Sequence, residues 1–597
     1  MILQRLVDYY DRISTDDSAT SALPKPGYSL QKVSFCVVLR PDGTLHGFQS
    51  LLDEGSKKPI PRQLLVPGQS KPTGQGINPC FLWDNAAYML GFKLEDPKPE
   101  RTRESFEKFR EYHLDAEREV DNPGFSAVCT FLRQWSPVQA VERSEELEPI
   151  VGSFGVFKIA GEHKFVHDET QVVAFWANRD AGRGASGDDG NGICLVTGLA
   201  GPIATLHEPK IKGVIGAQSS GALLVSFNAK AYESFGKEQG DNAPVGVAAA
   251  FKYTNALNYL LNRKDRRTSL GEATVVYWSE RPTLLEDIAD DIFADAPPPK
   301  PDAPPEDKQR AEQVRTFLSQ LRDGHAHGEA FDRDSDVRFY ILGLSPNASR
   351  ISVRFWVQST VGEMQQRLAQ HLQDTNLIGA RENDPPLVIR RIVQATGRAE
   401  FSGGSFKGYD ADAVPPLLSG ALARAVLQGT PYPQMLLGAM LNRLRADGAI
   451  RHERVATIKA CIVRNSRLNG NPKEVPVALD INRTDPSYVT GRLFALLEKI
   501  QSDSAGGDLN TTIKDRYFSA ASTTPGLVFP RLIRLSQHHL AKMETPQKVY
   551  YEKQIGEVMN KLDRFDSHLN LEEQGLFAVG YFHQRQQLFT KREGASA

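Results

Sequence analysis

A proline-rich acidic run, ADAPPPKPDAPPEDK at residues 294–308, limits what this chain can fold into more than any other segment. Proline fixes the backbone angle φ and has no amide hydrogen, so it interrupts helices and central strands alike. The acidic side chains of the run favour solvent over a core. The pattern therefore predicts a linker at 294–308 between separately folded regions.

The length of the chain also requires several domains, because 597 residues exceed what a single core supports. We expect a mixed α/β domain at 1–293, a middle α+β domain at 309–470 and a helical bundle at 471–597. The predicted fold class is α+β: a mixed α/β N-terminal region with hairpins, followed by a C-terminal α-helical bundle.

Alternating apolar residues predict two hairpins. In KVSFCVVLRPDGTLHGF, at 32–48, every second residue from Val33 to Leu39 is apolar and Pro-Asp-Gly supplies the turn. VRFYILGLSPNASRISVRFWVQS, at 337–359, has the same form. We also expect a strand in ALLVSFN, at 222–228, and a surface loop in the Gly/Asp-rich segment 178–192.

Apolar stripes at helical spacing predict that the C-terminal region is helical. In GRLFALLEKIQ, at 491–501, apolar side chains recur at i, i+3, i+4 and i+7. Asn570 followed by Glu573 resembles a capping pair that opens another helix. We therefore expect a helical bundle that folds on its own.

Charge is segregated along the chain although the net charge is only −2. Residues 283–312 carry nine acidic and three basic side chains. By contrast, 451–473 carry six basic and one acidic side chain, and 511–548 carry six basic and two acidic. The total charge does not indicate a nucleic-acid partner, but local basic patches remain compatible with one.

Cysteine usage and hydropathy indicate a cytoplasmic protein. The five cysteines are widely spaced, odd in number and never form Cys-x-x-Cys, which favours reduced thiols. The N-terminus lacks the pattern of a signal peptide, and no apolar run approaches the ~20 residues that span a bilayer.

One predicted helix, in VFPRLIRLSQHHLAKME at 528–544, has a purely basic face, which we call the basic stripe: Arg531, Arg534, His538 and Lys542. At 100° per residue these side chains lie opposite the apolar face. A solvated outer face is the simpler explanation, but such faces usually mix both signs of charge. An all-basic stripe also suits a phosphate backbone.

The segment LVPGQSKPTGQGINPC, at 65–80, combines glycines, prolines and short polar side chains directly before an apolar run. We call it the glycine loop. Glycine lets a backbone approach a ligand closely, so the loop is either an ordinary surface turn or a contact for something polar.

No catalytic constellation stands out. The chain contains no Walker, HExxH, GxGxxG or GxSxG motif and no kinase signature. His167-Asp168 resembles half of a metal phosphohydrolase dyad, but no partner cluster accompanies it. We therefore expect no catalytic residues, no metal site and no cofactor.

Four long segments resemble the large-subunit family of the type I-C CRISPR Cascade complex. They are LLVPGQSKPTGQGINPCFLWDNAAYMLG at 64–91, IKGVIGAQSSGALLVSFNAKAYESFGKEQGDNAPVGVAAAFKYTNALNYLL at 211–261, ALDINRTDPSYVTGRLFALLEKIQ at 478–501 and IKDRYFSAASTTPGLVFPRLIRLSQHHLAK at 513–542. The resemblance covers essentially the whole chain in order.

The resemblance implies a non-catalytic subunit of an RNA-guided antiviral complex. Such a subunit recognises a short protospacer-adjacent motif (PAM) in double-stranded DNA, helps to unwind it, stabilises the R-loop and recruits a helicase-nuclease. The implied partners are guide RNA, target DNA with its displaced strand, the Cascade backbone subunits and a small subunit, which the C-terminal bundle resembles. No membrane is involved.

The resemblance also implies candidate DNA-binding residues. In the glycine loop these are Ser70, Lys71, Thr73, Gln75 and Asn78, which could contact the PAM. In KIKGVIGAQSSG at 210–221, which we call the glutamine loop, they are Lys210, Lys212, Gln218, Ser219 and Ser220. The basic stripe would follow the displaced strand.

Two alternatives from other classes remain open. The chain could be a scaffold that binds only guide RNA and neighbouring subunits. It could also be a metal-dependent nuclease acting through His167 and Asp168, which would require cleavage by the purified protein.

Overall fold

The computed structural model describes most of the chain. The described residues are 1–15, 23–53, 59–68, 71, 76–186, 191–227, 229–270, 272–294, 305–323, 333–380, 386–415, 417–506 and 511–589.

Helices dominate the secondary structure. They are α1 Ile2–Ser14, α2 Ala86–Met89, α3 Pro99–Ala116, α4 Pro123–Gln134, α5 Pro137–Glu142, α6 Ser144–Leu147, α7 Thr170–Ser186, α8 Val247–Asn262, α9 Leu284–Ala294, α10 Pro305–Arg322, α11 Val361–Thr375, α12 Ile389–Ala395, α13 Leu418–Gln428, α14 Gln434–Asp447, α15 His452–Leu468, α16 Pro486–Ser504, α17 Ile513–Ala521, α18 Pro525–Leu540, α19 Thr545–Met559 and α20 Leu571–Phe589.

The strands of the described residues form four sheets. They are β1 Tyr28–Leu39, β2 Leu45–Ser50, β3 Leu52–Asp53, β4 Ile60–Pro67, β5 Trp83–Asn85, β6 Phe154–Ile159, β7 Asn191–Ile193, β8 Ala200–Pro202, β9 Arg267–Leu270, β10 Ala273–Ser279, β11 Arg338–Asn347, β12 Arg350–Thr360, β13 Ala399–Ser402 and β14 Ser405–Tyr409. The mixed N-terminal region and the helical C-terminal region confirm the predicted fold class.

The chain divides into two compact units at a different place from the predicted linker. Unit 1 is Met1–Asn262 with Pro346–Ser352, and unit 2 is Arg263–Ser345 with Val353–Ala597. Strands β10 and β11 flank the proline-rich run and pair antiparallel, Tyr277 opposite Ile341. In sequence the run lies between these two neighbouring strands of unit 2, and Pro305 near its end already begins α10, so the division into two units does not coincide with the boundary predicted at 294–308. Proline is well tolerated there because the first helical turn needs no amide hydrogen.

The main sheet of unit 1 is built around β1. Strands β2 and β4 pair with it antiparallel and β6 pairs parallel. The first predicted hairpin is confirmed, with Gly43 at φ +83 in its turn. Phe35, Val37 and Leu39 pack under helices α3 and α4 in the larger core of the unit.

Two local predictions in unit 1 need correction. Helix α7 runs to Ser186, so most of the Gly/Asp-rich segment is helical where a loop was expected, and residues 187–190 lie outside the described part. In place of the strand expected at 222–228, residues 222–227 form only isolated bridges, Ile211 with Ala222 and Leu223 with Arg350, and residue 228 lies outside the described part. Short apolar runs do not by themselves specify a pairing partner, and here the partners are single residues.

Unit 2 packs helices on a four-stranded sheet with strand order β12-β11-β10-β9. Val275, Tyr277, Phe339 and Ile341 join one continuous core with residues from the C-terminal helices such as Phe577. The middle domain and the C-terminal bundle predicted from the sequence therefore share a core.

The basic segment 451–473 is largely internal to unit 2. Arg454 is fully buried and forms a two-pronged pair with Asp447, at 3.0 Å from each oxygen. Arg464 and Arg467 both approach the buried carboxylate of Asp374. A buried guanidinium must be paired to offset its desolvation, and these pairs meet that requirement. The charge of this segment supports the fold.

Helices α16 and α20 are in close contact because a glycine of each helix lies against the backbone of the other. A Cβ atom at Gly491 would overlap with the carbonyl of Phe577, and one at Gly580 would overlap with that of Tyr488. Helix α20 also packs on α15, where Gly575 lies against Ile458 and Ile462. Helix α20 therefore contacts both α15, which precedes the bundle predicted at 471–597, and α16, which lies within it.

We expect Gly491→Ala to destabilise unit 2 by about 1–3 kcal/mol, since the added methyl meets backbone atoms that no side-chain rotation can move. The matched control is Gly556→Ala in α19, where nothing lies within 4 Å of the added Cβ. That control should be neutral or stabilising by up to about 1 kcal/mol. Urea unfolding followed by circular dichroism measures both, and equal behaviour of the two variants would contradict the proposed close contact.

Candidate nucleic-acid interface

The glutamine loop is closed at its base by a pair of backbone hydrogen bonds. The amide of Ile211 donates to the carbonyl of Ala222, and the amide of Ala222 donates back to Ile211, both at 2.9 Å. A closed base holds the loop as one projecting element of unit 1.

Helix α8 holds the start of the glutamine loop through hydrogen bonds to its backbone. The side chain of Asn258 accepts from the amide of Lys212 at 2.8 Å and donates to the carbonyl of Lys210 at 3.1 Å. One turn earlier, Thr254 donates to the carbonyl of Glu208 at 3.2 Å, and Tyr253 contacts His207 at 2.6 Å. The helix therefore sets the position and direction of the loop.

The tip of the loop presents polar side chains to solvent. Lys212, Gln218, Ser219 and Ser220 are all exposed, while Lys210 is half-buried. The amide of Gly221 donates to the carbonyl of Gln218 at 2.9 Å, which closes a tight turn. Gly221 has φ +93 and a Cβ there would lie 2.8 Å from that of Lys210, so only glycine fits. Amide and hydroxyl groups on a fixed turn are suited to reading base edges.

Asn258→Ala should loosen the glutamine loop without changing any exposed side chain. Each lost hydrogen bond contributes about 1 kcal/mol, so we expect amide exchange at residues 211–222 to accelerate about tenfold or more. Hydrogen-exchange mass spectrometry measures this effect. Asn262→Ala, at the exposed end of the same helix, is the control. Unchanged exchange would mean that the loop is held by other contacts.

Lys71 of the glycine loop is engaged within the protein. Its ammonium forms an ion pair with Asp84 and lies 3.2 Å from the ring centroid of Tyr88. Asp84 is fully buried and also accepts from the amides of Cys80, at 3.1 Å, and Asn85, at 2.8 Å. Burial raises the pKa of Asp84, while the Lys71 charge and these hydrogen bonds oppose that rise. The pair ties residue 71 to the start of α2.

Next to this pair lies an open cleft of about 700 Å³. Asn78 lies on the wall of the cleft with its side chain exposed. Its backbone amide donates to the Tyr88 hydroxyl at 3.3 Å. Lys93, Lys98 and Arg101 line the cleft as well. Of the other glycine-loop candidates, Ser70, Thr73 and Gln75 lie outside the described residues.

The basic stripe lies on α18 as predicted. Phe529, Leu532 and Leu540 are fully buried on the inner face. The outer face is exposed and carries Arg531, Arg534 and His538, and Lys542 follows the end of the helix. Among the described residues, no carboxylate lies within 4.0 Å of the four basic groups, although the Arg531 guanidinium lies 5.7 Å from the ring centroid of Tyr517. The stripe is therefore not neutralised within the described chain, as an anion-binding surface requires.

The His167-Asp168 pair is divided between core and surface. The His167 side chain is only 1% exposed and its ring stacks on Phe165, whereas Asp168 is open to solvent. Burial lowers the pKa of His167. Within the described ranges, no three His, Cys, Asp or Glu side chains are grouped as a metal site requires.

Several residues of these sites were not singled out from the sequence. Asp84 could have been identified from the sequence, because a carboxylate inside the apolar run FLWDNAAYML indicates a buried, paired group. The loop support from Asn258 and the cleft cations Lys98 and Arg101 depend on contacts between distant segments, for which the sequence carried no signal.

Comparison with known proteins identifies the family. A family model described as CRISPR-associated protein (Cas_Csd1) matches residues 6–589. No curated protein shows a significant match. Among the described residues, no helix is both long and apolar enough to cross a bilayer. Since the family match extends over nearly the whole chain, the protein belongs to the Cas_Csd1 family of CRISPR-associated proteins.

Proposed function

We propose that this chain is the large subunit of a type I-C Cascade complex, where it recognises the PAM in double-stranded DNA and helps to open the duplex. The observation that carries the proposal is the glutamine loop, a rigidly supported projection whose tip offers one lysine, one amide and two hydroxyl groups to solvent. Phosphate contacts position a protein on DNA and groove contacts specify sequence, and this loop combines both chemistries.

The other candidate sites supply the remaining steps of the proposal. Asn78 and the cleft cations contact the duplex beside the PAM, and the basic stripe holds the displaced strand as an electrostatic track. Lys71 acts indirectly by fixing the wall of the cleft. Guide RNA pairing reads the rest of the target, so the protein needs no long sequence-reading surface.

In this proposal the subunit has no catalytic activity and needs no cofactor. It works in the cytoplasm with guide RNA, the backbone subunits of Cascade and a small subunit. After R-loop formation it recruits a separate helicase-nuclease. Mobility-shift assays on the assembled complex, with duplexes that carry or lack a PAM, test the proposal directly. Equal affinity for both duplexes would favour the scaffold alternative, and metal-dependent cleavage by the purified chain would favour the nuclease alternative.

The same mobility-shift assay with Asn78→Ala and Gln218→Ala tests whether these two residues contact the PAM. Each should weaken binding of PAM-bearing duplex by about 1–3 kcal/mol, the value of a lost base contact, while leaving assembly and folding unchanged because both side chains are exposed. The Asn262→Ala control should bind as wild type does. If neither variant loses affinity, the two loops do not read the PAM.

A further inference from the structure

One aromatic side chain of unit 1 is completely exposed. Phe235 has a relative exposure of 100%, the largest of any hydrophobic residue in the described part of the chain. Scattered surface hydrophobics are normal in soluble proteins, but they usually keep part of the side chain against the surface. Both faces of this ring are open to solvent.

The backbone at Phe235 is also in a conformation that a bulky residue avoids. Phe235 has φ +55 and Gly236 has φ +71, and the amide of Lys237 donates to the carbonyl of Ser234 at 3.0 Å. We call this element, residues 234–237, the aromatic turn. Turns with positive φ at both central positions favour Gly, Asn or Asp. Phenylalanine therefore costs stability at this position in two ways, through its φ angle and through its exposed ring.

The aromatic turn is held firmly despite this cost. Asn242 accepts from the amide of Ser234 at 2.9 Å and donates to the carbonyls of Lys237 and Gln239 at 2.9 and 3.1 Å. Gly240 lies tightly against the backbone of residues 204–205. A fixed turn presents the ring at low entropic cost to a binding partner.

The aromatic turn and the glutamine loop share a support. Arg350 donates to the Tyr232 hydroxyl at 2.8 Å and its guanidinium lies 4.3 Å from the ring centroid of Tyr232, three residues before Phe235. The backbone of Arg350 forms a β-bridge with Leu223, two residues after the end of the glutamine loop. Both elements are thus anchored on the same hairpin end, Pro346–Ser352, within unit 1.

The residues that precede and follow Phe235 in the chain add little apolar surface to the ring. Between Ala229 and Gly240, apart from Phe235 and Tyr232, the exposed residues are polar, charged or small. Protein docking sites surround an anchor with a wider apolar area. Base stacking needs only one aromatic face and accepts any base, because every base has a π-face.

We propose that Phe235 stacks on, or inserts beside, an unpaired nucleobase of the target next to the glutamine loop and so stabilises the first opened base pairs. Apolar side chains that enter a base step in this way offset the cost of unstacking. The inference rests on the proposed function, since it assigns a residue to the opening of the duplex that the glutamine loop contacts.

The test uses the assembled complex with guide RNA and a target that carries 2-aminopurine at successive positions beside the PAM. Phe235→Asn should reduce the rate of the fluorescence rise on opening about tenfold, while Phe235→Trp should retain it. Phe235→Asn should leave the melting temperature of the protein unchanged or raise it, because asparagine suits the turn. If Phe235 served only to stabilise the fold, Phe235→Asn would lower the melting temperature. Leu199→Ala, at a side chain 70% exposed elsewhere in unit 1, is the control and should open DNA at the wild-type rate.

Three outcomes would overturn the inference. Opening by Phe235→Asn at the wild-type rate would remove Phe235 from this step. Normal opening combined with lost recruitment of the helicase-nuclease would assign the ring to a protein partner. A lowered melting temperature in Phe235→Asn would make the ring structural. If the wild-type complex fails to open PAM-bearing duplex at all, the proposed function itself fails, so the two failures are distinguishable.

Discussion

Replacing Arg531, Arg534 and Lys542 together by Glu is expected to weaken stable R-loop formation by the assembled complex about a hundredfold at physiological salt. Three phosphate contacts to a single strand would be lost and three repulsive charges added. The protein itself should remain folded, because these side chains are exposed on the outer face of α18 and exposed charges contribute only about 0–1 kcal/mol each.

Salt dependence separates this effect from a general loss of function. Each single-strand phosphate contact contributes about 0.7 to the slope of log affinity against log salt, so the slope should fall by about 2 in the variant. Permanganate footprinting of thymines in the displaced strand reports the open state directly. Initial binding of PAM-bearing duplex should change little, because the glutamine loop is intact.

The matched control reverses the same number of charges in the neighbouring part of unit 2. Lys553 and Arg564 are also exposed and the Lys548 side chain is 43% exposed, and the replacement of all three by Glu changes the net charge equally. If both triple variants lose R-loops to the same extent, the effect is one of total charge. An unchanged footprint in the Arg531, Arg534 and Lys542 variant would show that the stripe is only a solvated face.

Lys71→Met should destabilise unit 1 by about 3–5 kcal/mol near neutral pH. The substitution keeps the length of the side chain but leaves the fully buried Asp84 carboxylate without its cation. Urea or thermal unfolding measures the loss. Lys93→Met, at an exposed lysine on the same cleft, is the control and should change stability by no more than about 0.5 kcal/mol.

The destabilisation should depend on pH in a defined direction. Burial raises the pKa of Asp84 in the folded protein, and losing Lys71 raises it further. A raised carboxyl pKa means that the folded state binds more protons than the unfolded state, so stability falls as pH rises from the unfolded pKa towards the folded pKa. The Lys71→Met variant should therefore be less destabilised at pH 5 than at pH 8.

A second substitution tests whether the ion pair is the cause. Asp84→Asn in the Lys71→Met background removes the unpaired charge. It keeps only one of the two oxygens that accept separately from the amides of Cys80 and Asn85, so one of these hydrogen bonds is lost. The double variant should recover part of the lost stability. If Lys71→Met is as stable as wild type yet binds duplex weakly, Lys71 contacts DNA and the structural interpretation is wrong.

The sequence by itself determined the local elements wherever pattern and burial agree. The alternation from Val33 to Leu39 predicts β1 correctly, because period-two apolar residues are the pattern of a strand, although Ser34 and Cys36 on the other face are buried as well. The reciprocal hydrogen bonds between Asn570 and Glu573 open α20 as their spacing predicts. The apolar and basic faces of α18 also follow from helical geometry alone.

Tertiary structure decided where the chain divides and which polar residues are free. The strands before and after the proline-rich run, β10 and β11, pair with each other within unit 2, because hydrogen bonding between strands does not depend on how many residues separate them. Burial decided that Arg454 serves the fold while Arg531 faces solvent, although both belong to basic stretches of similar composition.

Contacts with distant segments also explain why Lys71 is paired within the protein while Gln218 is exposed. Lys71 met a buried carboxylate contributed by the next segment, whereas Gln218 was carried outward by hydrogen bonds from a helix forty residues away. Such long-range partners carry no signal in the local sequence, because what fixes the role of a polar side chain is the set of groups that folding brings beside it.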